Sequence, residues 1–464
     1  MHITFHGAAQ TVTGSRHLVT VGGHQILLDC GLFQGRRQDT YTFNLNFPFP
    51  PREVDAVILS HAHIDHCGNL PNLVRKGYDG PIFSTHATGL IADLLNQDSA
   101  HIQEYDIAYL NKKRARKGQE PLEPLYTVEH ARAATRLFRS QPYDQPFEVV
   151  PGVTARLVDA GHILGSAGII LDMHENGRQV RLMFSGDIGR RGLPIIRDPV
   201  LPQDVDYLVM ECTYGDRSHE PPEKAYQAMR AVVQRTFDRG GKVIIPAFAV
   251  GRTQTLVYYL HEMIERQEIS RVPVFVDSPL AVNVTEVFLK HPEFFDEEAL
   301  AFMRSNGGHA LGFDLLTYTH SVEESKAIND RNGPLVIISA SGMAENGRIL
   351  HHLRNNIADR RNTILLTSWM APDTLGRRLA EGQARVNIFG EEHGVEAEVV
   401  AIDGLSAHAG QEFLLTYAQA AMPRVREIAL VHGEPDAALA FQAKLSAAGF
   451  TQVRYPQPGE TAEL

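Results

Sequence analysis

The stretch Ser60-His61-Ala62-His63-Ile64-Asp65-His66-Cys67-Gly68-Asn69-Leu70-Pro71 follows directly on a wholly apolar run, residues 56–59. An uninterrupted apolar run bounded by polar residues reads as a buried strand, so the change at Ser60 marks where that strand leaves the core. Four metal-competent side chains then fall within six residues: His61, His63, Asp65 and His66. In extended backbone, residues two apart point to the same side, which directs His61 and His63 together. Asp65 and His66 reach a neighbouring position after the turn. One such cluster holds donors enough for two ions. A satisfied polar loop explains any one of these residues but not four together, and strand-end loops are where α/β folds carry chemistry.

Upstream, short β-branched runs alternate with turns at 2–5, 16–21 and 24–30, which predicts the strands of a layered sheet. From about 85 to 139 the pattern is helical and includes a basic patch, Lys112, Lys113, Arg114, Arg116 and Lys117. That patch is either a solvated turn or a contact for a polyanion. Strand patterns return at 153–158, 168–171, 180–184 and 205–210, which predicts a second β-rich layer. Further metal-competent residues punctuate these strand ends and later ones: His162, Asp187, Glu211, His408 and His432. Taken singly, each is ordinary as a capped turn or a hydrogen-bonded polar group; as a series they are not.

Between about 213 and 382 an apolar strand followed by a turn and a helix recurs four times, with strands at 242–245, 274–276, 335–338 and 363–366. Repeated βα units imply a mostly parallel sheet with helices on its faces. Strand and helix patterns resume afterwards, so residues 1–212 and 383–464 are read as one core domain and 213–382 as an insertion. The polar tail, 457–464, is expected to fray.

Composition bounds the rest. The chain has 464 residues, 44 Lys+Arg against 55 Asp+Glu for a net charge of −11, and 43% hydrophobic residues, a globular balance. The N-terminus lacks a basic start and apolar run, and no run of about 18 uncharged apolar residues exists to span a bilayer, so a cytoplasmic protein without a membrane partner is expected. Three cysteines, Cys30, Cys67 and Cys212, form no CxxC, which indicates neither a disulfide framework nor a thiolate zinc site. Imidazole and carboxylate donors without thiolate suit zinc, with manganese or iron open on ligand chemistry alone.

The run HxHxDH, an isolated His, then Asp187 in Ser-Gly-Asp, resembles the metallo-β-lactamase superfamily of binuclear hydrolases. Strand-end Glu211, the long βα insertion, His408 in Ser-Ala-His-Ala and His432 in His-Gly-Glu resemble its β-CASP branch, which includes RNA nucleases. The resemblance spans nearly the whole chain and departs from none of the motif positions. It implies an α/β fold, the αββα sandwich with an inserted β-CASP domain. It also implies two Zn²⁺, one held by His61, His63 and His162, the other by Asp65, His66 and His432, with Asp187 bridging. Asp29 matches an aspartate that orients a ligand histidine. His408 matches the general acid and Glu211 its carboxylate partner, which together with Asp65 and Asp187 make the catalytic set.

Histidine at the last motif, His432, is the form found in RNA-processing members of that branch. The expected activity is therefore hydrolysis of single-stranded RNA by a hydroxide that two metal ions activate, leaving 5′-phosphate products. The endonucleolytic or 5′ exonucleolytic mode stays open, and a homodimer is compatible with the resemblance. The competing reading is a binuclear hydrolase of a small ester or thioester, against which the insertion and the Glu211, His408 and His432 set argue. Residues near strand ends of the insertion and just after it, Arg252, Ser278, Ser341, Gly342 and Ser406, are candidate phosphate contacts, because helix N-termini favour anions. Ordinary N-capping is the plain alternative. A net charge of −11 is unusual for a nucleic-acid binder, so the basic pairs Arg36-Arg37, Arg190-Arg191 and Arg377-Arg378 and the 112–117 patch are candidates for a local track.

Overall fold

The protein is described here by a computed structural model, covering residues 1–35, 37–307, 310–368, 370–371 and 373–464, with the side chains of 37–39 and 403 left aside. Two units emerge. The first comprises Met1–Arg191, Asp198–Ser218 and His408–Leu464; the second comprises Gly192–Arg197 and His219–Ala407.

The first unit holds two seven-stranded sheets. One contains β1 (His2–Gly7), β2 (Arg16–Val21), β3 (His24–Leu28), β4 (Ala56–Ile58), β5 (Ile82–Ser84), β6 (Phe138–Ser140) and β22 (Glu460–Glu463), in the order β22-β1-β2-β3-β4-β5-β6. The other contains β7 (Phe147–Val150), β8 (Val153–Asp159), β9 (Ala167–Glu175), β10 (Arg178–Phe184), β11 (Tyr207–Glu211), β20 (Glu427–Val431) and β21 (Val453–Arg454), in the order β21-β20-β11-β10-β9-β8-β7. Alternate residues of both sheets meet in one core, Ile3, Phe5, Val19 and Ile26 from the first and Leu157, Ile169, Leu182 and Val431 from the second. This is the period-two burial that sheet-on-sheet packing requires. The opposite face of the second sheet is covered by the helices Gln411–Ala420 and Pro435–Ala447 through Leu208, Met210, Leu430, Leu414 and Phe441. The expected layered sandwich is thus present.

The second unit is built on a six-stranded sheet of β12 (Lys242–Pro246), β13 (Val274–Val276), β14 (Leu316–Tyr318), β15 (Leu335–Ser339), β16 (Thr363–Leu366) and β19 (Glu398–Ala401). The order is β14-β13-β15-β12-β16-β19 and every neighbouring pair is parallel. Its central strands are apolar along their length because helices bury both faces. A short antiparallel pair, β17 (Arg385–Ile388) with β18 (Glu391–Gly394), precedes the last strand.

Two expectations need correction. The inserted unit runs to residue 407 and not to 382, because β19 pairs with β16 and completes the inserted sheet. The C-terminal tail does not fray. In β22 the alternation Thr461-Ala462-Glu463-Leu464 buries Ala462 and Leu464 while the strand pairs antiparallel with β1, so the tail closes the edge of the first sheet. Polarity alone concealed a strand whose partner is some 460 residues away in sequence. No helix among the described residues is long and apolar enough to cross a membrane.

Candidate metal centre

β4 is buried at every position, and after it Leu59-Ser60-His61-Ala62-His63 continues into a one-turn helix, Ile64–Cys67, with His63 at its N-terminal boundary. Backbone bonds from the end of β3 fix this loop: Cys30 N donates to His66 O at 2.8 Å and Leu32 N to Ile64 O at 3.0 Å. Gly31 is required between them, since a Cβ there would lie 1.6 Å from Asp65 O. The His162 loop and the Asp187 loop are stitched together likewise, Gly189 N donating to Ala160 O at 2.8 Å. A Cβ on Gly189 would meet Gly161 O at 1.7 Å. Glu211 ends β11 and His432 follows β20, its parallel neighbour, which sets the two side by side. His408 enters through a bridge to Gly189.

These loops converge. His61, His63, His162 and Asp187 present donor atoms within 4.8 Å of one another, as do Asp65, His66 and His432, and as do Asp187, Glu211 and His408. Asp187 is shared and its two oxygens divide the work. Oδ2 lies 3.3 Å from His61 Nε2 and 3.4 Å from His162 Nε2, while Oδ1 lies 3.2 Å from His66 Nε2 and 3.6 Å from His432 Nδ1. His63 Nδ1 sits 3.0 Å from His61 Nε2 and 3.1 Å from His162 Nε2. Asp65 Oδ2 faces His432 Nε2 at 3.3 Å. Only His63, Asp65 and His408 are partly open to solvent; the others are buried.

The electrostatics suit cation binding. Burial, reinforced by neighbouring histidines, lowers His61 and His162 and pushes His63 down to about 3, which keeps these imidazoles neutral with lone pairs free. Burial opposes charge on Asp65 and Asp187 too, yet His432 and His66 outweigh it and hold both carboxylates below their usual range. His66 goes the opposite way: the charges of Asp187 and Asp29 overcome burial and raise it well above the usual histidine range. Among the described residues, His66 Nε2 and Asp187 Oδ1 are buried and face each other at 3.2 Å without hydrogen-bond geometry. Such atoms are costly when left alone, and a cation between them satisfies both. The cysteines take no part, because burial raises all three thiols and keeps them protonated.

Partners behind the cluster orient it. Asp29, fully buried, accepts from His66 Nδ1 at 2.7 Å, Ser60 N at 2.8 Å, Ser60 Oγ at 2.9 Å and Ser15 Oγ at 3.1 Å. Glu211 accepts from His408 Nδ1 at 3.0 Å, Ile188 N at 2.7 Å and Thr213 N at 3.2 Å. Burial lowers His408, but Glu211 and Asp187 reverse the effect and raise it to about 9. Ser15, Ser60 and Thr213 were not anticipated from sequence. The Thr213 hydroxyl donates to His432 O and lies 3.0 Å from His432 Nδ1, so the ring's Nδ1–H is its matching donor. Ser60 and Thr213 each lie within two residues of a motif residue, the one signal that could have found them.

The candidate phosphate contacts are all in the second unit. Arg252, Ser278, and Ser341 with Gly342 follow the carboxyl ends of β12, β13 and β15, adjacent parallel strands, and Ser406 follows β19. Ser278 Oγ caps its own helix through Ala281 N, and Ser341 Oγ accepts from Glu345 N and Asn346 N, so both hydroxyls serve their local turns. Gly342 packs on the Phe248 ring, where a Cβ would approach to 2.8 Å. At the end of β16 the hydroxyls of Thr367 and Ser368 are buried without partners among the described residues. Of the basic pairs, Arg191 lies near Asp198 and over the Phe413 ring, Arg190 is buried, Arg377 pairs with Glu381 and Arg378 donates to Asp373 O. Arg36 lies outside the described residues.

A layered sandwich whose strand-end loops gather histidines and carboxylates at one edge defines a metallo-hydrolase. Residues 14–247 match the model of the metallo-β-lactamase superfamily, 253–379 that of the β-CASP domain, and 392–456 that of the Zn-dependent metallo-hydrolase RNA specificity domain. The chain is 36% identical to Ribonuclease TTHA0252 of Thermus thermophilus over 97% of each chain. It is 29% identical to transcription termination factor FttA of Methanocaldococcus jannaschii over 95% of this chain and 68% of that one. A crystal structure of a protein of unknown function from Enterococcus faecalis shares the fold, with a TM-score of 0.58 at 14% identity over 100% of this chain and 99% of that one. The chain belongs to the β-CASP branch of the metallo-β-lactamase superfamily.

Proposed function

We propose that the protein is a zinc-dependent ribonuclease that hydrolyses phosphodiester bonds of single-stranded RNA and leaves 5′-phosphate products. The observation that carries this reading is that Asp187 faces His61 and His162 through Oδ2 and His66 and His432 through Oδ1, beside the His408–Glu211 pair. His61, His63 and His162 would hold one cation and Asp65, His66 and His432 the other, with Asp187 common to both. When bound, two such ions supply an ionised water at neutral pH and offset the charge that grows on a phosphate. Similarity to a Thermus thermophilus ribonuclease supports RNA as the substrate.

The chain's own residues complete the reaction. Glu211 engages His408 Nδ1, which turns Nε2 toward Asp187, 3.9 Å from its Oδ2. The pair keeps a proton on Nε2 near neutrality and delivers it to the departing 3′ oxygen, whose basicity rises as the bond to phosphorus breaks. Glu211 is itself held by the backbone N–H groups of Ile188 and Thr213, so the imidazole is aimed and not merely charged. With water entering and the 3′ oxygen leaving, phosphate stays on the 5′ side, and no 2′-hydroxyl is needed.

The test is a gel assay on 5′-monophosphorylated, 3′-labelled single-stranded RNA, with parallel DNA, chelator-treated and Asp65→Ala controls and elemental analysis. RNA cleavage lost in both controls, with Asp65→Ala short of one metal equivalent, is the expected result. Two bound zinc ions without RNA cleavage would overturn the reading in favour of a small ester or thioester substrate.

A further inference from the structure

The helix His86–Ala115 has 30 residues, a length of about 45 Å at about 1.5 Å per residue. It starts beside the candidate metal centre, where the hydroxyls of Thr85 and Thr88 donate to Gly165 O, three residues beyond His162. Its first half buries Ala87, Thr88, Ile91, Ala92, Asn96 and Ala100. Past Ala100 none of its residues is fully buried, yet it is braced: Asn111 exchanges two hydrogen bonds with the backbone of Leu122, and Arg114 Nε donates to Glu120 O at 2.7 Å. The outer half is therefore a supported arm and not a fraying end.

One face of this arm reads Ile102, Tyr105, Tyr109, Lys112, Lys113 and Arg116, the i, i+3, i+4, i+7 spacing of a single helical stripe. Tyr105 is 72% exposed and Tyr109 55%, one turn apart, and Lys113 Nζ lies 4.4 Å from the Tyr109 ring centroid. Five cations, Lys112, Lys113, Arg114, Arg116 and Lys117, gather at the tip of a chain whose net charge is −11. None forms an ion pair among the described residues. A helix C-terminus attracts a cation or two in its last turn, but Arg116 and Lys117 lie beyond the last turn.

Exposed aromatic rings interleaved with cations that no carboxylate neutralises are what a single-stranded polynucleotide uses, its bases stacking and its phosphates meeting the charge. A second copy of the chain is a poorer occupant. A stable pair buries roughly 1,200 Å² or more, and five like charges oppose their own image. We infer that this arm is an RNA-binding platform that grips the substrate strand away from the bond that is cut. The inference rests on RNA being the substrate and adds a second point of attachment to it.

Two variants test it, Tyr105→Ala with Tyr109→Ala, and Lys112→Gln with Lys113→Gln and Arg116→Gln; all five side chains are exposed, so folding should be unaffected. Binding of labelled phosphorothioate RNA, one strand long and one too short to reach both arm and metal centre, is read by fluorescence anisotropy across a salt series, with light scattering for oligomeric state. The Gln variant should lose affinity for the long strand, its slope of log K against log salt falling by about 2, at about 0.7 per phosphate contact. The Ala variant should lose roughly tenfold per ring with its salt slope unchanged. Unaltered long-strand binding in both variants, while the parent binds and cleaves RNA, overturns the arm alone. Loss of a dimer with RNA affinity intact overturns it too and makes the face an interface between copies. A parent protein that binds neither strand overturns the substrate reading and the arm with it.

Discussion

Replacing Asp29 with Asn isolates what one buried carboxylate does for the candidate metal centre. Asp29 has φ of 60°, a left-handed conformation that Asn adopts as readily, so the backbone is not strained. The carboxylate accepts four hydrogen bonds, Oδ1 from Ser60 N and Oδ2 from His66 Nδ1, Ser60 Oγ and Ser15 Oγ. An amide has a single acceptor oxygen. If that oxygen keeps Ser60 N, the new NH₂ faces three former donors. The two hydroxyls can turn and accept. His66 can meet it only by baring the Nδ1 lone pair, which moves the ring proton to Nε2, the atom 3.2 Å from Asp187 Oδ1. If the amide turns over instead, two N–H groups oppose each other in a buried site, at about 1–3 kcal/mol. The first arrangement leaves His66 Nε2 without a lone pair for a cation; the second keeps that lone pair but destabilises the loop that carries it. Loss of such an orienting partner typically weakens metal binding about 10–100-fold, or about 1.4–2.8 kcal/mol. Competition with a chromogenic chelator reads that change, and circular dichroism confirms the fold. A folded Asn variant that binds zinc as tightly as the parent would refute the reasoning.

Three further outcomes are expected. Glu211→Gln should retain both metals but lose turnover by about 10²–10⁴, the usual worth of a positioned general acid, because the amide cannot accept from Ile188 N, Thr213 N and His408 Nδ1 together; metal loss measured by elemental analysis would make Glu211 a ligand instead. In the second unit, buried Asp277 accepts from Thr319, Ser325, Arg348 and His352, and although burial opposes its charge these donors hold it below the usual carboxylate range. Its folded pKa is depressed, so its stabilisation is present above about pH 4 and fades as pH falls toward the folded value; Asp277→Asn should cost about 3 kcal/mol at neutral pH and progressively less in acid, read by urea midpoints across pH. A pH-independent difference would contradict the charge as its source. Deleting residues 460–464 strips Ala462 and Leu464 from the sandwich core and bares β1, and should cost roughly 3 kcal/mol by urea denaturation. An unchanged midpoint would mean that β22 adds nothing to the core.

Much of the site could be read from order along the chain. The sandwich strands announce themselves as short β-branched or apolar runs between turns, the inserted strands as apolar runs each followed by a turn and a helix, and the histidines and carboxylates by standing at strand ends. Those features are local, set by backbone geometry over a few residues, and so survive without knowledge of the fold. What escaped were relations between distant segments. The polar tail gave no hint that β1 lacked a partner, the strand Glu398–Ala401 gave none that β16 did, and Ser15 gives no hint of Asp29 until β2 and β3 pair. The division of Asp187 between two sets of histidines likewise depends on Gly31 and Gly189, which let separate loops close to backbone contact. The residue types that can bind metal and move protons belong to the sequence; which of them meet, and which nitrogen each presents, follows from strand pairing and burial, because both act between residues that the chain itself holds far apart.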